Sequence, residues 1–191
     1  MADSCKNIDS VLGKDGDERV KEKIGNLVIA MSPVHYIHNI ITGNIFSCIK
    51  NIVKGSSCRV FSDTVAYDLS ELGTELGGKG KFVSPDISVV CNPEYKGAYI
   101  KSYPSLVVEV LSPSTAIVDL TMKKELYAQM GVSDYLIVGR DGNIEHYTLV
   151  NGSYSLPPII LTKDISFTSS VLPGIVLTYN DIYEDVFDLS E

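Results

Sequence analysis

The sequence predicts a single domain of mixed α and β structure, and three observations lead to that prediction. The chain has 191 residues and 45% hydrophobic content, which is enough for one full-sized core. Two stretches, at 33–54 and 115–130, carry the signals of helices. Short runs rich in β-branched residues lie before, between and after them. We therefore expect residues 1–23 to form a polar lead-in and residues 24–191 to form the domain.

The first part of the domain predicts a short strand followed by a long amphipathic helix. Residues 25–31 are apolar enough for a strand, and Ser32 and Pro33 suit the N-cap and first position of a helix. Gly55 suits the end of that helix. His35 lies near its start, where we expect a surface or capping role. The apolar face consists of isoleucines spaced by three and four residues: Ile37, Ile40, Ile41, Ile45, Ile49 and Ile52.

The next segment predicts a strand, a glycine-rich loop and two buried strands. Residues 57–67 alternate in polarity as a strand does, and residues 68–81 form a loop. That loop contains neither GxxxxGK[ST] nor GxGxxG, so we interpret it as a flexible hairpin loop and not as a phosphate cradle. Residues 87–91 and 106–111 are short apolar runs typical of strands buried on both faces. The connection between them has no helical pattern and therefore favours antiparallel pairing.

A second helix and a series of hairpin strands complete the domain. In the helix predicted at 115–130, Asp119, Lys123 and Tyr127 follow one another at intervals of four, so we expect all three on one face. Further strands are predicted at 134–138, 144–150 and 154–161, joined by tight turns that contain Gly142 and Gly152.

The composition bears on location and partners. A formal charge of −8 and a pI near 4.8 oppose non-specific attraction to a polyphosphate. They do not exclude nucleic acid, because acids gathered at a metal site become electropositive once a cation binds. The polar start and the lack of an apolar run of about 18 residues predict neither a signal peptide nor a membrane span. The four cysteines lack metal-ligand spacing, so we expect reduced thiols in a cytoplasmic protein.

One acidic residue lies inside an apolar run and requires an explanation. Glu109 has apolar neighbours on both sides, and a buried ionised carboxylate costs several kcal/mol unless it is paired or binds a metal. Two explanations serve: an ion pair with a lysine such as Lys123, or a metal ligand that faces a cleft. Asp86 favours the second, since adjacent strands can bring its carboxylate beside Glu109. Two carboxylates suit Mg²⁺, which keeps positions for water and phosphate.

At these residues the sequence resembles a bacterial family described as "putative restriction endonuclease", within the PD-(D/E)XK nuclease superfamily. The resemblance covers nearly the whole chain from about residue 20. It rests on SPD at 84–86, VVEVLSPST at 107–115, Asp119, KKELY at 123–127 and GVSDY at 131–135, with MSP at 31–33, His38 and LPG at 172–174 also fitting.

The resemblance implies an α/β fold with a restriction endonuclease-like core, in which helices flank a central mixed β-sheet and antiparallel β-hairpins are added. It implies that Asp86, Glu109 and Lys123 are catalytic. It also implies that Asp86, Glu109 and the Val110 backbone carbonyl bind Mg²⁺ or Mn²⁺. The position two places after Glu109, which usually holds the lysine, is Leu111.

The catalytic lysine is therefore expected from the next helix, where Lys123 matches the family and Lys124 points about 100° away. Supporting roles are expected for His38, Ser112, Asp119 and Tyr127, of which Tyr127 also fits a plain core position. The chain departs from the family pattern on one wall of the cleft, at Leu136, Gly139 and Arg140.

Three functions are compatible with these residues. The first is a metal-dependent DNA endonuclease, in which a metal-activated water attacks phosphorus. The second is a catalytically silent nuclease-fold module for binding or assembly, which the acidic charge favours. The third is a sugar or nucleotide hydrolase with Asp86 and Glu109 as general acid and base, which leaves Lys123 unexplained. The resemblance also implies a homodimer, for which the hairpin at 140–161 can supply an edge.

Overall fold

The computed structural model describes residues 21–24, 27–30, 35–78, 81–112 and 119–186. The helices are α1 (Tyr36–Ile52), α2 (Lys124–Gln129, preceded by a π-helical turn at Asp119–Lys123) and α3 (Tyr179–Tyr183). The strands are β1 (Lys21–Ile24), β2 (Leu27–Ala30), β3 (Cys58–Ser62), β4 (Tyr67–Asp68), β5 (Phe82–Val83), β6 (Ile87–Cys91), β7 (Tyr95–Lys96), β8 (Tyr99–Ile100), β9 (Leu106–Val110), β10 (Asp134–Val138), β11 (Ile144–Val150), β12 (Ser153–Tyr154), β13 (Ile159–Leu161), β14 (Phe167–Thr168) and β15 (Val176–Leu177).

The central sheet is mixed, as predicted. Its strands lie in the order β12-β11-β10-β9-β6-β3, and β13 also pairs with β11. The pair β9–β10 is parallel, whereas β3–β6, β6–β9 and β10–β11 are antiparallel. The predicted antiparallel pairing of β6 with β9 is therefore confirmed. A parallel neighbour for β9 is possible because α2 forms the crossover between β9 and β10.

Helices cover both faces of this sheet, which divides the core in two. On one face, Ile41, Ile45 and Ile49 of α1 pack with strand residues such as Val108, and Ile182 of α3 joins them. The other face carries the tyrosine-rich half of the core: Tyr67, Tyr127, Tyr135, Tyr147 and Tyr154, together with Leu126 and Met130 of α2 and neighbouring aliphatic residues. This arrangement confirms the expected sheet flanked by helices.

The additional hairpins lie outside the central sheet. A second sheet has the order β2-β1-β5-β4-β8-β7, and β14 pairs with β15. The glycine-rich segment joins β4 to β5, which are antiparallel, so its interpretation as a hairpin loop is confirmed. No helix in the described ranges has both the length and the apolar content that a membrane span requires.

Several predicted boundaries were wrong. The strand expected at 25–31 is confirmed as β2, but it pairs with a strand that was not predicted, β1, which begins at Lys21. The strand expected at 57–67 ends at Ser62, where a turn separates it from β4. The return strand expected at 154–161 divides into β12 and β13, with a cis Leu156–Pro157 bond between them. Proline lacks the N–H that a continuous ladder needs.

Helix α1 begins three residues later than expected. Its N-cap is His35, whose ring Nδ1 accepts a hydrogen bond from the Ile37 amide at 3.3 Å. The capping role of His35 is therefore confirmed. Ser32 and Pro33, the predicted start, lie outside the described residues, as does the predicted cap of the second helix.

Two cysteines are bonded to each other, in contrast to the reduced thiols expected. Cys58 and Cys91 form a disulfide, and they lie directly opposite one another in the β3–β6 ladder. The sequence did not predict this bond, because the two cysteines are 33 positions apart and only the register of the two strands brings them together. Cys48 is a free thiol.

Candidate metal centre

Asp86 and Glu109 lie at the same end of the paired strands β6 and β9. In this pair Ile87 lies opposite Val108, so the register brings the residue before β6 to the level of Glu109. The Val110 amide donates a hydrogen bond to Oδ2 of Asp86 at 2.7 Å. The carboxylate of Asp86 is therefore tied to the residue that directly follows Glu109.

Two side chains contact Glu109, one from α2 and one from the π-helical turn that precedes it. It is 2% exposed, and its Oε1 accepts hydrogen bonds from Lys123 Nζ at 3.1 Å and from the Tyr127 hydroxyl at 2.5 Å. Lys123 is itself 5% exposed. The ion pair considered above thus exists, and it compensates for the burial of both charges. Tyr127 belongs to the core and also contacts the acid.

Of the two consecutive lysines at the end of the Asp119–Lys123 turn, Lys123 contacts Glu109 and Lys124 does not. This turn is π-helical and leads directly into α2, so Lys123 and Tyr127 both reach the same oxygen of Glu109. Such wider turns are frequent at functional sites. Lys124 lies instead over the ring of Tyr147, with Nζ 3.6 Å from the ring centroid. Burial lowers the pKa of Lys124, and nearby Glu145 partly opposes that shift.

His38 approaches Asp86 from the opposite face of the sheet. Its Nε2 lies 3.1 Å from Oδ2 of Asp86, and the residue is 8% exposed. Within the described residues, Nδ1 of His38 is buried and has no hydrogen-bond partner. An N–H at that position would be a buried donor without an acceptor, which is costly. The geometry therefore favours a proton on Nε2, which His38 donates to Asp86.

The donor atoms at this end of the sheet suit a hard cation. Oδ1 of Asp86 makes no hydrogen bond to any described residue, since both of its contacts use Oδ2. No group of three or more His, Cys, Asp or Glu within the described ranges forms a metal cage. Zinc sites need such a cage, whereas Mg²⁺ binds through one or two carboxylates and completes its shell with water and phosphate oxygens. The residues present fit Mg²⁺ or Mn²⁺.

The remaining expected site residues have different positions. Ser112 is half-buried beside this end of β9, and the side chain of Asp119 lies outside the described residues. Leu111, two places after Glu109, packs against the tyrosine-rich half of the core. Leu136 is buried in the other half of the core, so it does not line this centre.

A second buried polar cluster was not predicted. Asp134 is fully buried and accepts hydrogen bonds from His146 Nε2 at 3.0 Å, Ser169 Oγ at 2.7 Å and Ser170 Oγ at 2.9 Å. Burial raises the pKa of Asp134, but these hydrogen bonds outweigh it and the net pKa is lowered. Asp134 pairs with Leu106 at the other end of β9, so this cluster is remote from Glu109. Its one sequence signal is an acid at the start of an apolar strand.

Comparison with known proteins identifies the family. The model of a family described as "Uma2: Putative restriction endonuclease" matches residues 11–180. An uncharacterized protein of Synechocystis sp., slr1290, is 32% identical over 127 residues, or 64% of this chain, and the chain spans 63% of that relative's length. A crystal structure from Anabaena variabilis, titled as a "putative nuclease belonging to DUF820", has the same fold: the TM-score is 0.66 at 18% identity, over 87% of this chain and 90% of that one. Since the family model spans most of the sequence, the chain belongs to the Uma2 family.

Proposed function

We propose that the protein is a DNA endonuclease that requires Mg²⁺ or Mn²⁺ and hydrolyses phosphodiester bonds at the end of β6 and β9. The observation that carries this proposal is the strand register, which brings Asp86 to the level of Glu109, with the amine of Lys123 3.1 Å from Glu109. Membership of a family described as "putative restriction endonuclease" supports it, and so does the shared fold.

Each residue has a distinct task in this proposal. Asp86 and Glu109 would hold the cation together with the Val110 carbonyl. When bound, the cation supplies positive charge that activates water and neutralises the phosphate. Lys123 stands beside Glu109 and can offset the negative charge that develops on the phosphate oxygens in the transition state.

Two further residues position the acids. His38 donates to Oδ2 of Asp86 and leaves Oδ1 available to the cation. Tyr127 donates to Oε1 of Glu109 and fixes the direction of that carboxylate inside the core. Preorganised hydrogen bonds of this kind hold metal ligands in their productive orientation.

A catalytically silent module is the second candidate, and one observation favours it. Glu109 already has two donors in Lys123 and Tyr127, so its charge is compensated without a metal. The net charge of −8 also disfavours contact with DNA in the absence of a cation. In this case the ion pair is purely structural.

A nuclease assay separates the two candidates. The protein would be incubated with supercoiled plasmid in Mg²⁺, in Mn²⁺ and in EDTA, and compared with Asp86→Asn. Glu125→Gln is the matched control, because Glu125 is an exposed carboxylate on α2 that bonds only Gln129 among the described residues. We expect metal-dependent cutting by the parent and the control, and a loss of at least about 100-fold in Asp86→Asn. Equal cutting by Asp86→Asn would refute the assignment.

Calorimetry with Mn²⁺ adds a test that does not depend on activity. The proposal requires binding heat in the parent protein that disappears in Asp86→Asn. A silent module would give the same negligible heat in both proteins. Binding that is unaffected by Asp86→Asn would place the metal elsewhere.

A further inference from the structure

A groove opens directly beside the candidate metal centre. It encloses about 380 Å³ between α1 and the ends of β3 and β6. His38 and Asp86 form one end of its wall, and Phe46, Asn39, Gly43 and Ser47 of α1 extend that wall away from the centre. Its volume is at the lower end of the range for small-molecule sites.

The residues that line the groove suit a ligand that is uncharged, polar and aromatic. Asn39 and Ser47 are exposed and offer an amide and a hydroxyl, while half-buried Phe46 adds an aromatic surface. Asp63 and Asp86 are the charged residues of the wall, and no lysine or arginine is among its described residues. A phosphate here would face like charge. A nucleobase with its sugar is uncharged, hydrogen-bonds to amides and hydroxyls, and stacks on aromatic rings.

We propose that this groove receives the nucleoside adjacent to the phosphate that is cut. The inference rests on the proposed nuclease function and adds a substrate subsite to it. Asp86 belongs both to the groove and to the candidate metal centre, so a phosphodiester held at that centre has one of its two nucleosides at the mouth of the groove. The phosphate then lies at the cation, and the base lies along α1.

Gly43 allows a direct test, because it lines the groove and a Cβ added there has open space. A Cβ built at Gly43 meets no atom within 4 Å, and its backbone is ordinary helix. Gly43→Leu therefore adds a bulky side chain to the groove wall, and it favours the helix because glycine is a poor helix former. Gly73→Leu is the matched control, since a Cβ at Gly73 also meets nothing within 4 Å and Gly73 is not part of the groove.

The experiment measures fluorescence anisotropy of a labelled DNA duplex in Ca²⁺ and single-turnover cutting in Mg²⁺. We expect Gly43→Leu to weaken DNA binding by at least tenfold and to slow cutting, while Gly73→Leu stays within about twofold of the parent. Ser47→Leu, one helical turn further along the same wall, should reproduce the loss. It serves as the second variant if Gly43→Leu does not fold.

The outcomes distinguish the groove from the nuclease function itself. If the parent binds and cuts DNA and both leucine variants match it, the nuclease function stands and the groove is not a nucleoside site. If the parent neither binds nor cuts DNA, the proposed function fails and the inference fails with it. Selective loss in Gly43→Leu and Ser47→Leu, with Gly73→Leu unaffected, supports the inference.

Discussion

The backbone amide of Val110 and the carboxylate of Asp86 are 2.7 Å apart, although 24 positions separate these residues in the chain. The last residue pair of the β6–β9 ladder at this end is Ile87 and Val108, and this hydrogen bond joins the two chain segments just beyond that pair. Because Val110 directly follows Glu109, the bond ties the backbone next to Glu109 to the side chain of Asp86. In the proposed metal site, this bond would hold the carboxylate of Asp86 in position.

The two consecutive lysines should respond differently to the same substitution. Lys123→Met removes the partner of Glu109 and leaves a buried carboxylate, so we expect a loss of about 3–5 kcal/mol in the free energy of unfolding. Lys124→Met removes a cation–π contact with Tyr147, which is worth about 0.5–2 kcal/mol. Urea unfolding of both variants measures the difference. Cutting of DNA should be lost only in Lys123→Met, and equal stability losses would contradict the assigned pair.

Neutralising both partners of the ion pair should restore most of the stability. The double variant with Glu109→Gln and Lys123→Met removes both charges of this buried pair, and such replacements are often neutral or stabilising. We therefore expect it to be more stable than either single variant in a double-mutant cycle. DNA cutting should nevertheless be absent. If the stability lost in the double variant equalled the sum of the losses in the two single variants, the two side chains would not interact.

Removal of the Tyr127 hydroxyl should affect both stability and metal binding. Tyr127→Phe deprives buried Glu109 of one donor, at a cost of about 1–3 kcal/mol. The control is Tyr154→Phe, which removes a hydroxyl that donates to the Val132 carbonyl at 3.0 Å and so costs about 1 kcal/mol. We expect weaker Mn²⁺ binding by calorimetry in Tyr127→Phe alone. If Tyr127→Phe binds Mn²⁺ as tightly as the parent protein, Tyr127 has only a structural role in the core.

The cluster around Asp134 predicts a stability that depends on acid pH. The folded pKa of Asp134 is below its unfolded value of about 3.9, so its contribution is present above that pH and is lost as the pH falls through the folded value. Unfolding free energies measured between pH 7 and pH 2 should therefore decrease below about pH 4. Asp134→Asn should show a shallower decrease. The same slope in both proteins would contradict the lowered pKa.

We expect a homodimer that uses the outer edge of β13. This strand pairs with β11, and Ile159 and Ile160 are about half exposed on it. An exposed apolar edge is a template for pairing with a second chain. Light scattering after size exclusion should give twice the mass of the chain for the parent, and the mass of one chain for Ile160→Lys. A monomeric parent would contradict this prediction.

The sequence predicted the local features well because they depend on neighbouring residues. Glycines were expected in the turns, and Gly142 and Gly152 have φ values of 91° and 82° that other residues rarely adopt. The isoleucines of α1 were expected on one face, and Ile41, Ile45 and Ile49 are fully buried. Boundaries were less accurate, since α1 begins at Tyr36 with His35 as its cap.

By itself, the sequence determined the buried strands, the amphipathic helix and the presence of an acid where only apolar residues were expected. These follow from periodicity and composition, which act over a few residues. The tertiary structure alone decided that Cys58 faces Cys91, that His38 reaches Asp86 and that Asp134 gathers two distant serines. Such contacts join segments that are far apart in the chain, and they arise only when strand register and the packing of helices against the sheet bring those segments together.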